Sequence, residues 1–172
     1  MGVGVNDTSP PGAIAIHETA HALVVDGLTA SLVALVELTG ADSGRFEFTP
    51  GADAGERLLI AVAGGVGEQL VYTVARCVSR LDREQARDAI EQITGCRLGV
   101  NHVLEADPLY IQARARVHDY LAAHVDALCH AARHLDSHGR VTGYQLRALV
   151  RQFEEERLQA QRADLGRHRT AA

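Results

Sequence analysis

A chain of 172 residues is about one domain, long enough to bury a real core without disulfides or metal staples. Its net charge of −5, with both signs mixed along the chain, argues against a nucleic-acid partner, whose binding surface would be basic. Cys77, Cys96 and Cys129 form no paired framework and show no CxxC spacing, so they read as small core residues in a reducing, cytoplasmic setting.

Met1 to Gly12 lacks a basic start followed by an apolar core, so no signal peptide is expected there. No stretch approaches the ~18 uninterrupted apolar residues of a membrane span; the best candidate, Leu58 to Val66, is far too short. Ser9-Pro10-Pro11 predicts a helix start, with Ser9 as a cap and proline tolerated in the first turn. The helix that follows should run to about Asp26-Gly27 and be buried, because Ile14, Ala15, Ile16, Ala20, Ala22, Leu23, Val24 and Val25 make it apolar nearly all round.

Inside that helix stands His17-Glu18-Thr19-Ala20-His21, an HExxH pattern. Histidines four apart lie one turn apart on one face, so both imidazoles can reach a single metal ion. Glu18 is rotated by roughly 100°, which puts its carboxylate beside such an ion rather than on it. There it can take a proton from a water at the metal, the arrangement zinc peptidases use. Ordinary core or surface histidines are the plainer explanation, but a buried helix seldom carries two His and a Glu unless something satisfies them.

Leu32 to Leu38 reads as a strand, Gly40 to Gly44 as a turn, and Arg45 to Thr49 as a second strand with clean alternation, closed by Pro50-Gly51. Helices are expected from about Asp53 to Ala75, Asp82 to Thr94 and Pro108 to Leu135. Thr142 would cap a last one from Gly143 to about Gln161. With no internal repeat and no linker, the expectation is a single mainly helical domain with a small hairpin or sheet. Its ends, 1–9 and 162–172, read as flexible.

A catalytic zinc needs a third protein ligand and an open position. Glu68, Asp82, Glu84, Asp88 and His102 are the candidates, and composition does not choose among them. Glu68 closes Ala63-Gly64-Gly65-Val66-Gly67-Glu68, where three helical glycines cost about 1 kcal/mol each relative to alanine. Close approach of another helix, the HExxH helix above all, would justify that cost. A phosphate loop would need a Gly-Lys-Ser/Thr sequel and a preceding strand, and neither is present. Asp82, with Gln85 three residues on, also fits a helix N-cap. His124, His130, His134 and His138 recur on one later helix, but no Cys, Asp or Glu completes a tetrahedral set, so they read as a solvated or packed face.

Three segments in this order resemble the zinc peptidase domain of the FtsH-type proteases, the membrane AAA+ enzymes. His17-Glu18-Thr19-Ala20-His21-Ala22-Leu23-Val24 looks like their HEAGHA-plus-apolar helix, and Ala63 to Leu70 is similar to their Gly-Gly-Arg-x-Ala-Glu-Glu helix. Ser79-Arg80-Leu81-Asp82-Arg83-Glu84-Gln85-Ala86 falls where the family has Ser-Asn-Asp leading into a helix. His134-Leu135 through Val150 resembles its closing helix-turn-helix. The resemblance implies an FtsH-protease-like helical domain binding one Zn²⁺ per chain through His17, His21 and Asp82, with Glu18 as the catalytic base. Glu68 would then be a second ligand-orienting carboxylate or the alternative ligand. The chain departs from the family in having Ala20 before the second His and Gly65 or Val66 in place of the motif arginine. All 17 basic residues are Arg, so no Walker lysine exists, and any ATPase would have to act in trans.

The function so implied is a zinc-dependent metalloendopeptidase acting on unfolded or flexible protein segments, an activity that is ATP-dependent in the family. The substrate would add as an extended strand to the free edge of the Leu32–Leu38 or Arg45–Thr49 strand. The alternatives are a non-catalytic regulatory module of the same fold and a peptidase dedicated to one regulator, such as a repressor. Substrate identity and oligomeric state have no signature in the sequence.

Overall fold

The computed structural model describes residues 10–40, 42–76 and 79–170. Ser9 and Cys77 lie outside the described residues; α1 itself has Gly12 at its N-cap, with no side-chain cap, and Pro10 and Pro11 precede the helix rather than stand in its first turn. The elements in chain order are α1 (Ala13–Leu28), β1 (Val33–Gly40), β2 (Ser43–Phe48), α2 (Ala54–Tyr72), α3 (Arg80–Thr94), α4 (Pro108–Ala123), α5 (Val125–His138), β3 (Arg140–Thr142) and α6 (Gly143–Thr170), with a single 3-10 turn at Leu104–Ala106. The architecture is mainly helical with a small antiparallel sheet. Among the described residues no helix is long and apolar enough to cross a membrane.

Helix α1 is the central element, and every residue from Ala15 to Val25 is buried. It packs against α2 on one side, α5 on another, and the sheet on a third. An apolar helix surrounded in this way has no solvent face, which explains why its polarity shows no stripe. Helix α2 starts in a capping box: Asp53 accepts the Glu56 N–H at 2.8 Å, and Glu56 accepts the Asp53 N–H at 3.1 Å. Its glycines let it close on α1. A Cβ at Gly67 would lie 2.5 Å from the Cβ of Ala20, a distance no packed pair tolerates. The close approach that three helical glycines suggested is therefore real at Gly64 and Gly67, whereas Gly65 faces open space.

The sheet has the order β2-β1-β3, with Val36 paired to Phe46 on one side and to Val141 on the other. Three residues are too few to register as a strand in sequence, so β3 was not expected. Its presence corrects the substrate expectation for Leu32–Leu38: β1 is paired on both sides, and of the two hairpin strands β2 is the one whose outer edge is unpaired among the described residues.

The single helix expected from Pro108 to Leu135 is two helices that meet at His124. Its Nδ1–H donates to the Tyr120 carbonyl at 2.8 Å, displacing the backbone N–H of His124, which turns instead to Leu121 at 3.1 Å. A side chain that takes the carbonyl of the preceding turn interrupts the ladder there. Helix α6 runs to Thr170 rather than ending near Gln161, and α2 stops at Tyr72 rather than Ala75. Cys129 is half-buried against the core, but Cys96 is exposed, contrary to a core role.

Two substitutions on one face-to-face helix pair should act with opposite sign. Gly67→Val should destabilise the protein by about 1–3 kcal/mol through overpacking against α1. Gly65→Ala should stabilise it by about 0.5–1 kcal/mol, because its Cβ meets nothing and the helix gains propensity. Urea unfolding of both variants checks this, and shifts in the same direction would contradict the packing described.

Candidate metal centre

His17 and His21 project from the same face of α1, and Asp82 reaches them from the first turn of α3. The Nε2 atoms of the two histidines are 3.1 Å apart, and Asp82 Oδ2 lies 3.0 Å from His17 Nε2 and 3.4 Å from His21 Nε2. Among the described residues this is the one group of three His, Cys, Asp or Glu side chains whose ligand atoms converge closely enough to hold a metal ion.

Asp82 is not the N-cap of α3. Ser79 is, accepting the Asp82 N–H on its hydroxyl at 3.1 Å, and this leaves the Asp82 carboxylate free to face α1. The other third-ligand candidates go elsewhere. Glu84 pairs with Arg80 on the surface, Asp88 is exposed, and His102 bonds the cap residue Asp107 at 2.9 Å. Among the later histidines, His134 and His138 stack at 4.0 Å and His130 stacks on Phe153, which is a packed face as expected.

The far side of each imidazole is also held. His17 Nδ1–H donates to Glu68 Oε1 at 2.7 Å, and His21 Nδ1–H donates to the Ile60 carbonyl at 2.8 Å. Glu68 is fully buried, and its other oxygen accepts the backbone N–H of Arg76. Glu68 thus sits behind His17 on the nitrogen opposite Asp82. Fixing both Nδ1 protons leaves both Nε2 lone pairs pointing into the shared space.

That geometry fits a divalent ion. Two imidazole lone pairs and a carboxylate oxygen repel one another at 3.0–3.4 Å unless a cation or proton lies between them. Tetrahedral Zn–N bonds of ~2.0–2.1 Å place neighbouring ligands about 3.3 Å apart, close to the spacing seen here. A donor set of two imidazoles and one carboxylate is one that divalent transition metals, Zn²⁺ and Fe²⁺ among them, accept.

Three further features frame the site; the glycine run signalled the first, and the sequence did not reveal the other two. Gly64 lies against the His17 ring, where a Cβ would come within 2.5 Å of Nε2. Gly44 of β2 lies against Glu18, where a Cβ would come within 2.8 Å of the carboxyl carbon and Oε1. Phe46 stacks on His21 at 5.7 Å, with Phe48 stacked on Phe46 in turn. The alternation of Phe46 and Phe48 in β2 was the available signal, but it marked a buried face without saying what lay beneath it.

Electrostatics follow from this crowding. Burial works to lower the pKa of His17, yet its bonds to Asp82 and Glu68 prevail and carry it from its ordinary 6.5 up to about 9. Burial likewise works to raise Asp82, but hydrogen bonds to His17 and His21 hold it well below the usual carboxylate range. Glu18 moves up, driven by burial and opposed by the two imidazoles. Beside His17 and Asp82 opens a cleft of about 280 Å³, floored by Val62, Gly65 and Val66 of α2.

No protein-family model matches the chain, and no curated protein is significantly similar to it.

The metal-free protein should lose stability as pH rises from 6.5 to 9. A raised histidine pKa stabilises fully below its unfolded value and loses that stabilisation through the folded value, here roughly 3 kcal/mol over the interval. Asp82 is shifted down by the same pairing, so it adds no separate loss in this window; protonating its carboxylate breaks the pairing again in acid. With excess Zn²⁺ the trend should reverse, because metal binding requires the neutral imidazoles. Thermal unfolding against pH, with zinc and with chelator, checks both slopes.

Proposed function

We propose that this protein is a zinc-dependent metallopeptidase whose site is His17, His21 and Asp82 with Glu18 as general base. The observation that carries the reading is the convergence of His17 Nε2, His21 Nε2 and Asp82 Oδ2 within 3.0–3.4 Å, with Glu18 buried next to them. A Zn²⁺ held there would polarise a peptide carbonyl and lower the pKa of water at the open position towards ~7. In its motifs and their order the chain resembles the FtsH-type peptidase domain.

The protein's own residues supply the remaining steps. Glu18 takes a proton from the attacking water and returns it to the leaving amine. Gly44, by having no side chain, lets the backbone of β2 lie directly against that carboxylate. A substrate strand adding to the free edge of β2 would therefore run past Glu18, held by main-chain hydrogen bonds that carry little sequence preference. Such pairing requires an extended, unfolded or flexible segment. Phe46 covers His21 and keeps water from that side of the imidazole. Glu68 and the Ile60 carbonyl hold the rings in the orientation the chemistry needs.

Purified protein should carry about one zinc per chain, and His17→Ala or His21→Ala should abolish its retention, since two ligands hold Zn²⁺ poorly. Glu18→Gln should keep zinc and fold but lose activity on an unstructured substrate by on the order of 10²-fold or more. Asp82→Asn should weaken zinc binding strongly, whereas Glu68→Gln should leave zinc largely bound and cut activity by ~10–100-fold. Metal analysis and a peptide-cleavage assay decide the matter, and a folded wild type that binds no zinc defeats the reading.

A further inference from the structure

Resting on that reading, the cleft beside His17 and Asp82 carries information about the substrate. Its floor from α2 is apolar and its rim is charged. Arg83 of α3 and Arg114 of α4 stand on the rim, with Glu105 between the helices. Arg83 is matched, because its guanidinium pairs with the Glu105 carboxylate. Arg114 is not matched by a carboxylate within ion-pair distance among the described residues. Its guanidinium donates to the amide oxygen of Gln69 and lies 5.9 Å over the Tyr110 ring. Asp82 faces the two histidines at the other end of the cleft. The cleft lining therefore holds two guanidinium groups and two carboxylates; with Asp82 turned to the histidines and Glu105 paired to Arg83, Arg114 is the guanidinium left without an ion pair at its end of the cleft.

Arg114 is half-buried, and an aromatic ring and an amide orient its planar fork. A pre-oriented guanidinium of this kind suits a carboxylate, which it can bind through two parallel hydrogen bonds. The Gln69 amide is a weaker acceptor and can give way to a charged one. Gly65 keeps the floor open, since a Cβ there would meet nothing and would project into free space.

We propose that the cleft receives a carboxylate borne by the substrate residue that flanks the cleaved bond, with Arg114 as the group that recognises it. Two sources supply that chemistry: an Asp or Glu side chain within a longer segment, or the free C-terminus of a short one. Main-chain pairing to β2 sets the substrate's path, and Arg114 then sets which bond along that path is cut.

The test uses the full, zinc-loaded chain and a pool of randomised peptides, prepared with free and with amidated C-termini, with the cut sites read by mass spectrometry. Enrichment of Asp or Glu at one flanking position in both pools identifies the side chain as the source. Cutting near the end of free-acid peptides alone identifies the C-terminus. On a matched peptide pair, Glu should exceed Gln, or free acid should exceed amide, by on the order of tenfold in kcat/KM, the range of a charge-assisted hydrogen bond. Arg114→Gln should bring that ratio down towards one, and Arg114→Glu should turn the preference towards Lys. Arg116→Gln, on the same helix but outside the cleft, should leave the ratio unchanged. Cleavage with no carboxylate preference, or a ratio unmoved in Arg114→Gln, overturns this inference and leaves the peptidase reading standing. A zinc-loaded wild type that cuts no peptide overturns both.

Discussion

Three electron-rich atoms, two imidazole nitrogens and a carboxylate oxygen, are held within 3.0–3.4 Å of one another in a buried pocket. Such an arrangement is costly unless a positive charge lies between them. In the metal-free protein a proton on His17 offsets that cost, which is why its pKa is carried up and that of Asp82 is held down. The surrounding structure works to keep the three atoms in place. Each imidazole is anchored from behind, one by a buried carboxylate and one by a backbone carbonyl, so neither ring can rotate away without stranding its partner.

The packing of α1 on α2 follows from the same demand. Glu68 can reach His17 only if the two helices come unusually close, and Gly64 and Gly67 make that possible. On another side of α1 the sheet performs the matching task. Gly44 lets the backbone of β2 lie against Glu18, while Phe46 in the same strand stacks on His21. The third strand converts a hairpin into a sheet whose centre is β1, and so leaves β2 as the hairpin strand able to accept another. A site on one helix is thus framed by a helix behind it and a strand edge in front of it.

Much of this was written in short-range pattern. HExxH within an apolar run specified both the buried helix and two of the three converging side chains, because spacing on a helix fixes the face. The glycines of Ala63 to Glu68 signalled a close approach for the same local reason. Asp82 was different. Local rules made it a cap, and its place beside the histidines came from the family resemblance and then from the fold, because Ser79 takes the capping role. Two of the features that sequence reading missed are non-local, the pairing of β3 with β1 and the contact of Gly44 with Glu18; the break at His124 is local, but it turns on one side chain outcompeting a backbone N–H for the Tyr120 carbonyl, which leaves no mark in the polarity pattern. No periodicity reports which distant residue will fill such a place.

The central claim is that two histidines and one aspartate of this chain form a zinc centre. Zinc K-edge X-ray absorption on the zinc-loaded protein tests it most directly. The account predicts two imidazole nitrogens at ~2.0–2.1 Å and light oxygen donors at ~2.0–2.2 Å, four ligands in all, with the carboxylate contribution lost in Asp82→Asn. Sulfur scattering near ~2.3 Å, or a spectrum with no imidazole signature, would contradict it.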